Sequence, residues 1–245
     1  MTGHAPLAPS AAERWIACPG SYQAERNAPP VPSSEFAELG TTAHAWFATG
    51  LRRGLPAKAM TTDPLMQRPL DAALTATRQI LGSRAFMVEL RLPPLAGLAA
   101  LWGTADVVGF SAAGPVDTII DLKFGEAIMV AADAVQLGIY GLLAARCFGV
   151  ATDGLTAWVI QPRHDHEHGL ARSHHYGRAD IDRLETVLRN AVKAAVAADA
   201  PRRAGAWCRF CAAAAGCPTR QAAPNAVPAA RSAWFRPTPR WLVRP

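Results

Sequence analysis

Two aspartates, a lysine and the turn between them carry the first chemical signal in this chain. The segment DTIIDLKFGEA (117–127) sets Asp121 and Lys123, one of only three lysines in 245 residues, two positions apart in an apolar run. Strand alternation points side chains at i and i+2 the same way. Asp121 and Lys123 therefore share a face with Ile119, while Ile120 and Leu122 take the other. An earlier run, WGTADVVGF, is joined to this one by SAAGPV, whose Gly and Pro mark a turn. A hairpin centred near Ala113–Gly114 sets residue 106 opposite residue 121. Two carboxylates then meet across the strands, where like charges destabilise a sheet and unpaired burial is costly. A hard divalent cation such as Mg²⁺ resolves that conflict. Lys123 is placed to hold an anionic substrate oxygen or to orient a water. The set suits metal-assisted phosphodiester hydrolysis. A half-exposed strand with a surface ion pair is the other reading of the same residues.

Several side chains join this pair at a distance. In AVQLGIY, Gln136 and Tyr140 stand at i and i+4 on one helical face, within reach of a substrate backbone. His44 lies on the apolar face of its predicted helix, where a histidine is either a core residue or a ligand. Glu89 sits in the strand ahead of Asp106 and reads equally as an exposed strand residue. His164, His166, His168, His174 and His175 crowd a short segment. An HxHxH strand would align three imidazoles for a metal, and a solvated hairpin loop is the alternative.

The five cysteines divide unevenly. Cys208, Cys211 and Cys217 fall in WCRFCAAAAGCPTR, and Cys18 lies far upstream in ACPGS. Four thiolates suit a tetrahedral zinc or an iron–sulfur cluster. A site shared by Cys18 and the C-terminal three would close a very long loop and restrict the unfolded chain accordingly. Cys147, in LLAARCFG, reads as a buried helix residue.

The elements that must position these residues follow from periodicity. SAAERWIAC has the form of a capped helix, with Ser10 as N-cap and Glu13 at the capping-box position. ELGTTAHAWFATGLRRG carries His44, Phe47, Ala48 and Leu51 at helical spacing. A further helix is predicted over Pro69–Leu81, then strands in FMVELRL, LWGTADVVGF and DTIIDLKF. Asp133–Cys147 reads as a helix, GLTAWVIQPR as a strand, and HDHEHGLARSHHY as a hairpin loop entering its partner. Asp180–Ala198 forms a long amphipathic helix. Residues 1–220 are expected to form a single domain that includes the cysteine cluster, and 221–245 a flexible Pro/Arg tail.

Half the residues are hydrophobic, enough for a sizeable core. The sequence has no apolar run of membrane-span length and no signal-peptide pattern at its start, so a cytoplasmic location is expected. The formal charge is +6. Eight arginines and no acid lie from Pro201 onward, which leaves the first 200 residues at −2. A basic end on a mildly acidic body points to a polyanion partner. Trp234, Phe235 and Trp241 in that end could stack on bases.

Together these residues resemble the RecB-like branch of the PD-(D/E)XK nuclease superfamily over most of the chain. ELGTTAH resembles its first motif, with His44 as metal ligand. GTADVV resembles GxxD with Asp106, DLKFG resembles (D/E)xK with Asp121 and Lys123, and QLGIY resembles QxxxY with Gln136 and Tyr140. Some relatives add an active-site glutamate ahead of GxxD, which brings in Glu89. The one-plus-three cysteine layout is similar to the four-cysteine iron–sulfur clasp of AddB-like and CRISPR-associated members. SAAERWIACPGS, VIQPRHDH and WCRFCAAAAGCPTR resemble a phage-borne family of unknown function within this branch.

The resemblance implies an α/β fold of restriction-endonuclease-like type, a mixed β-sheet flanked by helices, with the N- and C-terminal segments joined by a metal cluster. It implies Mg²⁺ or Mn²⁺ on His44, Asp106, Asp121 and the Leu122 carbonyl. It further implies catalytic roles for Asp106, Asp121, Lys123, Glu89, Gln136 and Tyr140. Cys18, Cys208, Cys211 and Cys217 would hold a 4Fe-4S cluster, with structural Zn²⁺ as the alternative. The implied activity is that of a phage-type exonuclease on single-stranded or end-frayed DNA, in recombination or DNA processing. Partners would be DNA and a phage recombination or single-strand-binding protein, in a bacterial or phage-infected cell, without membrane attachment. A nucleic-acid- or partner-binding module that keeps the fold but little catalysis is the competing expectation.

Overall fold

A computed structural model describes residues 5–29, 34–126 and 128–224. Most of the basic tail, from 225 onward and including Trp234, Phe235 and Trp241, lies outside the described residues. The chain forms two compact units, both discontinuous in sequence. One comprises Met1–Pro32, Pro94–Gly103 and Asp182–Pro245, the other Ser33–Pro93 and Thr104–Ile181.

The larger unit is built on a five-stranded sheet in the order β1 (Ala85–Leu92), β2 (Gly103–Phe110), β3 (Val116–Leu122), β4 (Leu155–Ile160), β5 (Ala171–Tyr176). β2 and β3 form an antiparallel hairpin, β3 and β4 pair in parallel, and β4 and β5 are antiparallel. The parallel pair needs a crossover, which is supplied by the α-helix Val135–Phe148, numbered α5 below. The expected mixed sheet flanked by helices is present. β3 is central, with Val116 and every residue from Thr118 to Leu122 buried, because both its neighbours are strands. The half-exposed strand of the alternative reading is thereby corrected.

The two helices that precede the sheet are α3 (Glu35–Arg53) and α4 (Pro64–Leu81), which follow the short helices α1 (Ala12–Ala17) and α2 (Ser21–Arg26). Ser34 caps α3 by accepting from the Ala37 N–H at 3.2 Å, and Gly54, at φ 66°, ends it in the left-handed conformation that glycine adopts freely. The stripe Ala43, Phe47, Ala48, Leu51 turns inward at helical spacing. Much of it meets Leu70, Ala73, Leu74 and Leu81 of α4 and Val107, Ile120, Leu122 and Ile160 of the sheet in one core. Asp63 caps α4 through the Leu65 N–H at 2.9 Å, so this helix begins five residues before the expected Pro69, which lies inside it.

The smaller unit contains α1, α2, most of α6 (Arg178–Val196), α7 (Pro218–Gln221) and the cysteine-rich segment. Its N-terminal segment is stitched to its C-terminal one. The Gly20 N–H donates to the Pro201 carbonyl at 2.9 Å, Arg14 donates to the Phe210 carbonyl at 2.7 Å, and the Ala212 N–H donates to Glu25 at 2.9 Å. A Cβ at Gly20 would lie 2.5 Å from the Ala200 carbonyl oxygen, so this crossing of chains requires glycine.

Two local expectations are corrected. Ser10 lies within a 3-10 turn, Pro9–Ala11, and the α1 N-cap is Ala11, with no side-chain cap bond. Cys147 is exposed, because the buried face of α5 ends at Ala145. His164, His166 and His168 occupy the loop between β4 and β5, as the hairpin-loop reading expects, so the strand alternative with three aligned imidazoles does not arise. Among the described residues, no helix is long and apolar enough to cross a membrane.

Candidate metal centre

The β2–β3 hairpin fixes the core of the site. Val107 pairs with Ile120, and one step further along the same register brings Asp106 opposite Asp121, as the turn spacing requires. Both carboxylates are buried. His44, one residue along α3 from the inward-facing Ala43, approaches Asp106 with Nδ1 3.1 Å from Oδ1. The other carboxylate oxygen of Asp106 accepts the Leu122 N–H at 2.7 Å. Glu89 completes a group of three. Ligand atoms of His44, Glu89 and Asp106 all lie within 4.8 Å of one another.

Glu89 reaches this point by an unusual route. It lies in β1 yet has φ 53°, the one non-glycine residue with positive φ among those described. A left-handed residue within a strand is strained by about 1–3 kcal/mol and breaks the alternation of side chains. Periodicity alone therefore could not show where Glu89 points.

Asp121 has a different set of partners. Its Oδ1 accepts from Gln136 Nε2 at 3.1 Å, and its Oδ2 lies 2.8 Å from Lys123 Nζ. That second contact is a close ion pair. Lys123 also donates to Gln136 Oε1 at 2.9 Å, and Gln136 Nε2 lies 3.3 Å from the Tyr140 hydroxyl. Gln136 and Tyr140 are one turn apart on α5, so the helix offers both to the sheet at once. Of the four ligands expected from the sequence, His44 and Asp106 fall in the metal-sized group, and Asp121 stands beside it in the Lys123–Gln136–Tyr140 chain. Leu122 is bound to Asp106 through its N–H. Glu89, an expected catalytic residue, stands in the metal-sized group as well.

The electrostatics are those of a site short of positive charge. Burial pushes the Asp121 carboxyl above its ordinary range, against the pull of Lys123, and Asp106 pushes it the same way. Burial also raises Glu89, with Asp106 adding to it. Burial alone would lower His44, but its hydrogen bond to Asp106 and the charges of Asp106 and Asp121 raise it overall. Tyr140 is raised mainly by burial and keeps its phenolic proton. Each carboxylate here would be stabilised by a cation, and the His/Glu/Asp donor set suits Mg²⁺ or Mn²⁺.

The smaller unit holds the cysteines. Cys18, Cys208, Cys211 and Cys217 line one cavity of about 350 Å³ including its open mouth, together with Arg14, Arg202, Arg203 and Arg220. The Arg203 N–H donates to the Cys18 sulfur at 3.2 Å. Among the described residues no three thiols lie mutually within 4.8 Å, whereas a zinc tetrahedron holds its sulfurs about 3.8 Å apart.

The fold and this geometry define an α/β protein with a mixed sheet and a candidate divalent-metal centre on its central hairpin. The chain matches, over residues 4–80 and 70–232, the model of a family described as Protein of unknown function (DUF2800), and belongs to that family.

Proposed function

We propose that the chain is a divalent-metal-dependent DNA nuclease with a PD-(D/E)XK-type core, acting as an exonuclease on single-stranded or end-frayed DNA. The observation that carries this reading is the packing of His44, Glu89 and Asp106 into one metal-sized group, beside an Asp121–Lys123–Gln136–Tyr140 chain. His44, Glu89 and Asp106, with Asp121 adjoining, would hold Mg²⁺ or Mn²⁺, which would supply the charge to polarise a phosphodiester and ease ionisation of a water.

The protein groups supply the rest. Lys123, held between Asp121 and Gln136, presents its ammonium to a non-bridging phosphate oxygen or to the attacking water, where negative charge builds. Gln136 fixes the direction of Lys123 and Tyr140 together. Tyr140 stays protonated because burial raises it, and so keeps a donor for the strand being cut. Asp106 orients His44 through one oxygen and is itself held by the Leu122 N–H through the other. Cys18, Cys208, Cys211 and Cys217 would hold a 4Fe-4S cluster, whose role would be structural, tying 5–29 to 200–224 within the smaller unit.

The test is degradation of labelled single- and double-stranded DNA with Mg²⁺, Mn²⁺ or EDTA, for wild type beside Asp121→Asn. Metal-dependent cleavage that is lost in the variant supports the reading. A folded, cluster-loaded wild type that binds DNA without cutting it would leave a binding module as the function.

A further inference from the structure

A connection whose described residues, 124–126 and 128–134, have no regular structure separates Lys123 from the start of α5 and thus from Gln136. A loop of that length is ordered only where something holds it, since fixing each residue costs about 1–2 kcal/mol of entropy. The holder is the end of β4. Lys123 itself donates its N–H to the Ile160 carbonyl at 2.8 Å. The next residue, Gln161, is almost wholly buried and uses all four of its hydrogen-bonding positions. Its Nε2 donates to the carbonyls of Gly125 at 3.0 Å and Ile128 at 2.7 Å. Its Oε1 accepts the Val130 N–H at 3.1 Å and Arg172 Nη2 at 2.7 Å. An amide has two donors and two lone pairs, so three of four bonds go to the loop and only one orientation of the side chain serves them.

Arg172 stands behind it on β5. It is buried, donates also to the Val130 carbonyl at 3.0 Å and the Gly169 carbonyl at 3.3 Å, and its guanidinium is lowered by burial. Three further contacts from the same strand end close the loop: Arg163 pairs with Glu126 at 3.0 Å and lies over the Phe124 ring at 5.5 Å, and His164 meets the Glu126 carbonyl at 2.8 Å.

We propose that Gln161, backed by Arg172, is the positioning residue of the site: it holds the loop that fixes Lys123 against Asp121 and delivers Gln136 to both. The catalytic consequence rests on the nuclease reading, but the placement of Lys123 does not. Gln161 touches neither Lys123 nor Asp121 by side chain and acts through the loop.

The three lysines make the test internal. Lys58 and Lys193 are exposed, whereas the Lys123 side chain is 23% exposed and ion-paired. Competitive acetylation with trace acetic anhydride, read by mass spectrometry, gives Lys123 reactivity relative to the other two. In Gln161→Met, which keeps the volume and loses all four bonds, the ratio should rise roughly tenfold as the loop opens locally. Gln161→Glu keeps the two accepted bonds and sets oxygen against oxygen at Gly125 and Ile128, so it should give a smaller rise and remains informative if the methionine variant does not fold. An unchanged Lys123 ratio in a folded variant overturns the proposal, as does a rise shared equally by all three lysines. On the same samples, a fall in kcat with KM held would show that the lost positioning matters to the reaction. Wild type that does not cut DNA would overturn the nuclease reading, with the labelling ratio still deciding the role of Gln161.

Discussion

Asp106 separates the structural and metal-binding demands on the site, because its two oxygens do different work. Oδ2 satisfies the buried Leu122 N–H at 2.7 Å, and Oδ1 faces His44 in the three-membered group. Asp106→Ala strips the acceptor from a buried amide, a loss of about 1–3 kcal/mol. In a chain of this size that corresponds to a fall in Tm of roughly 2–12 °C. Asp106→Asn keeps an acceptor for Leu122 and removes one negative charge, which also relieves Asp121 and Glu89. Its metal-free stability should stay within about 1 kcal/mol of wild type. Metal binding separates the two differently. If the metal assignment holds, Mn²⁺ at 100 times its Kd should stabilise wild type by about 2.7 kcal/mol. Both variants should lose that gain, with affinity down on the order of 100-fold or more, since even residues outside a ligand sphere are worth 10–100-fold. Thermal melts with and without Mn²⁺, with calorimetric titration, measure both quantities. An asparagine variant that keeps the full Mn²⁺ shift would refute the ligand assignment. An alanine variant as stable as wild type would refute the energetic role given to the Leu122 hydrogen bond.

Glu89→Gly should stabilise the metal-free protein by about 1 kcal/mol, since glycine adopts the positive φ without strain, while weakening Mn²⁺ binding in the same titration. Tyr176→Phe should be neutral or stabilising by about 1 kcal/mol at pH 7, because the buried Tyr176 hydroxyl has no hydrogen-bond partner among the described residues. Burial, helped by Asp133 and Asp180, raises the Tyr176 pKa above the ordinary 10.0. The protonated form is favoured in the folded state, so its contribution is full below pH 10 and lost as pH rises beyond it; urea titrations from pH 8 upward should show that loss in wild type and not in the phenylalanine variant. Cys18→Ser should abolish the visible absorption of anaerobically purified protein and speed proteolysis within residues 5–29, and a colourless wild type with stoichiometric zinc would contradict the cluster.

The parts of the site legible from sequence are those set by local periodicity. The hairpin register is one, because the SAAGPV turn and strand alternation together fix Asp106 against Asp121. The Gln136–Tyr140 pair is another, because helical spacing alone puts both on one face. What escaped depended on distant chain. Glu89 is aimed by a backbone reversal that no period encodes. Cys147 looked buried from its apolar neighbours, but α5 runs out of partners at Ala145. Gln161 had only a faint signal, a polar residue closing the apolar run LTAWVI, and its meaning lies in carbonyls more than thirty residues away.

The energetic character of these residues points in one direction. Glu89 accepts backbone strain, Asp121 accepts burial beside another carboxylate, and Arg172 accepts burial with neutral partners. None of these choices favours folding, and an apolar replacement would relieve several of them. Glu89 belongs to the group of His44, Glu89 and Asp106, Asp121 stands beside that group, and Arg172 backs the residue that holds the loop leaving Lys123. A single divalent cation among His44, Glu89 and Asp106 would lower the cost at Glu89, Asp106 and Asp121 together, since each is a carboxylate whose charged form it favours. Lys123 cannot do so alone, being one ammonium against three acids and engaged with Asp121 and Gln136. The strain at Glu89 and the crowding of carboxylates at this hairpin are what the proposed metal-dependent reaction would account for together.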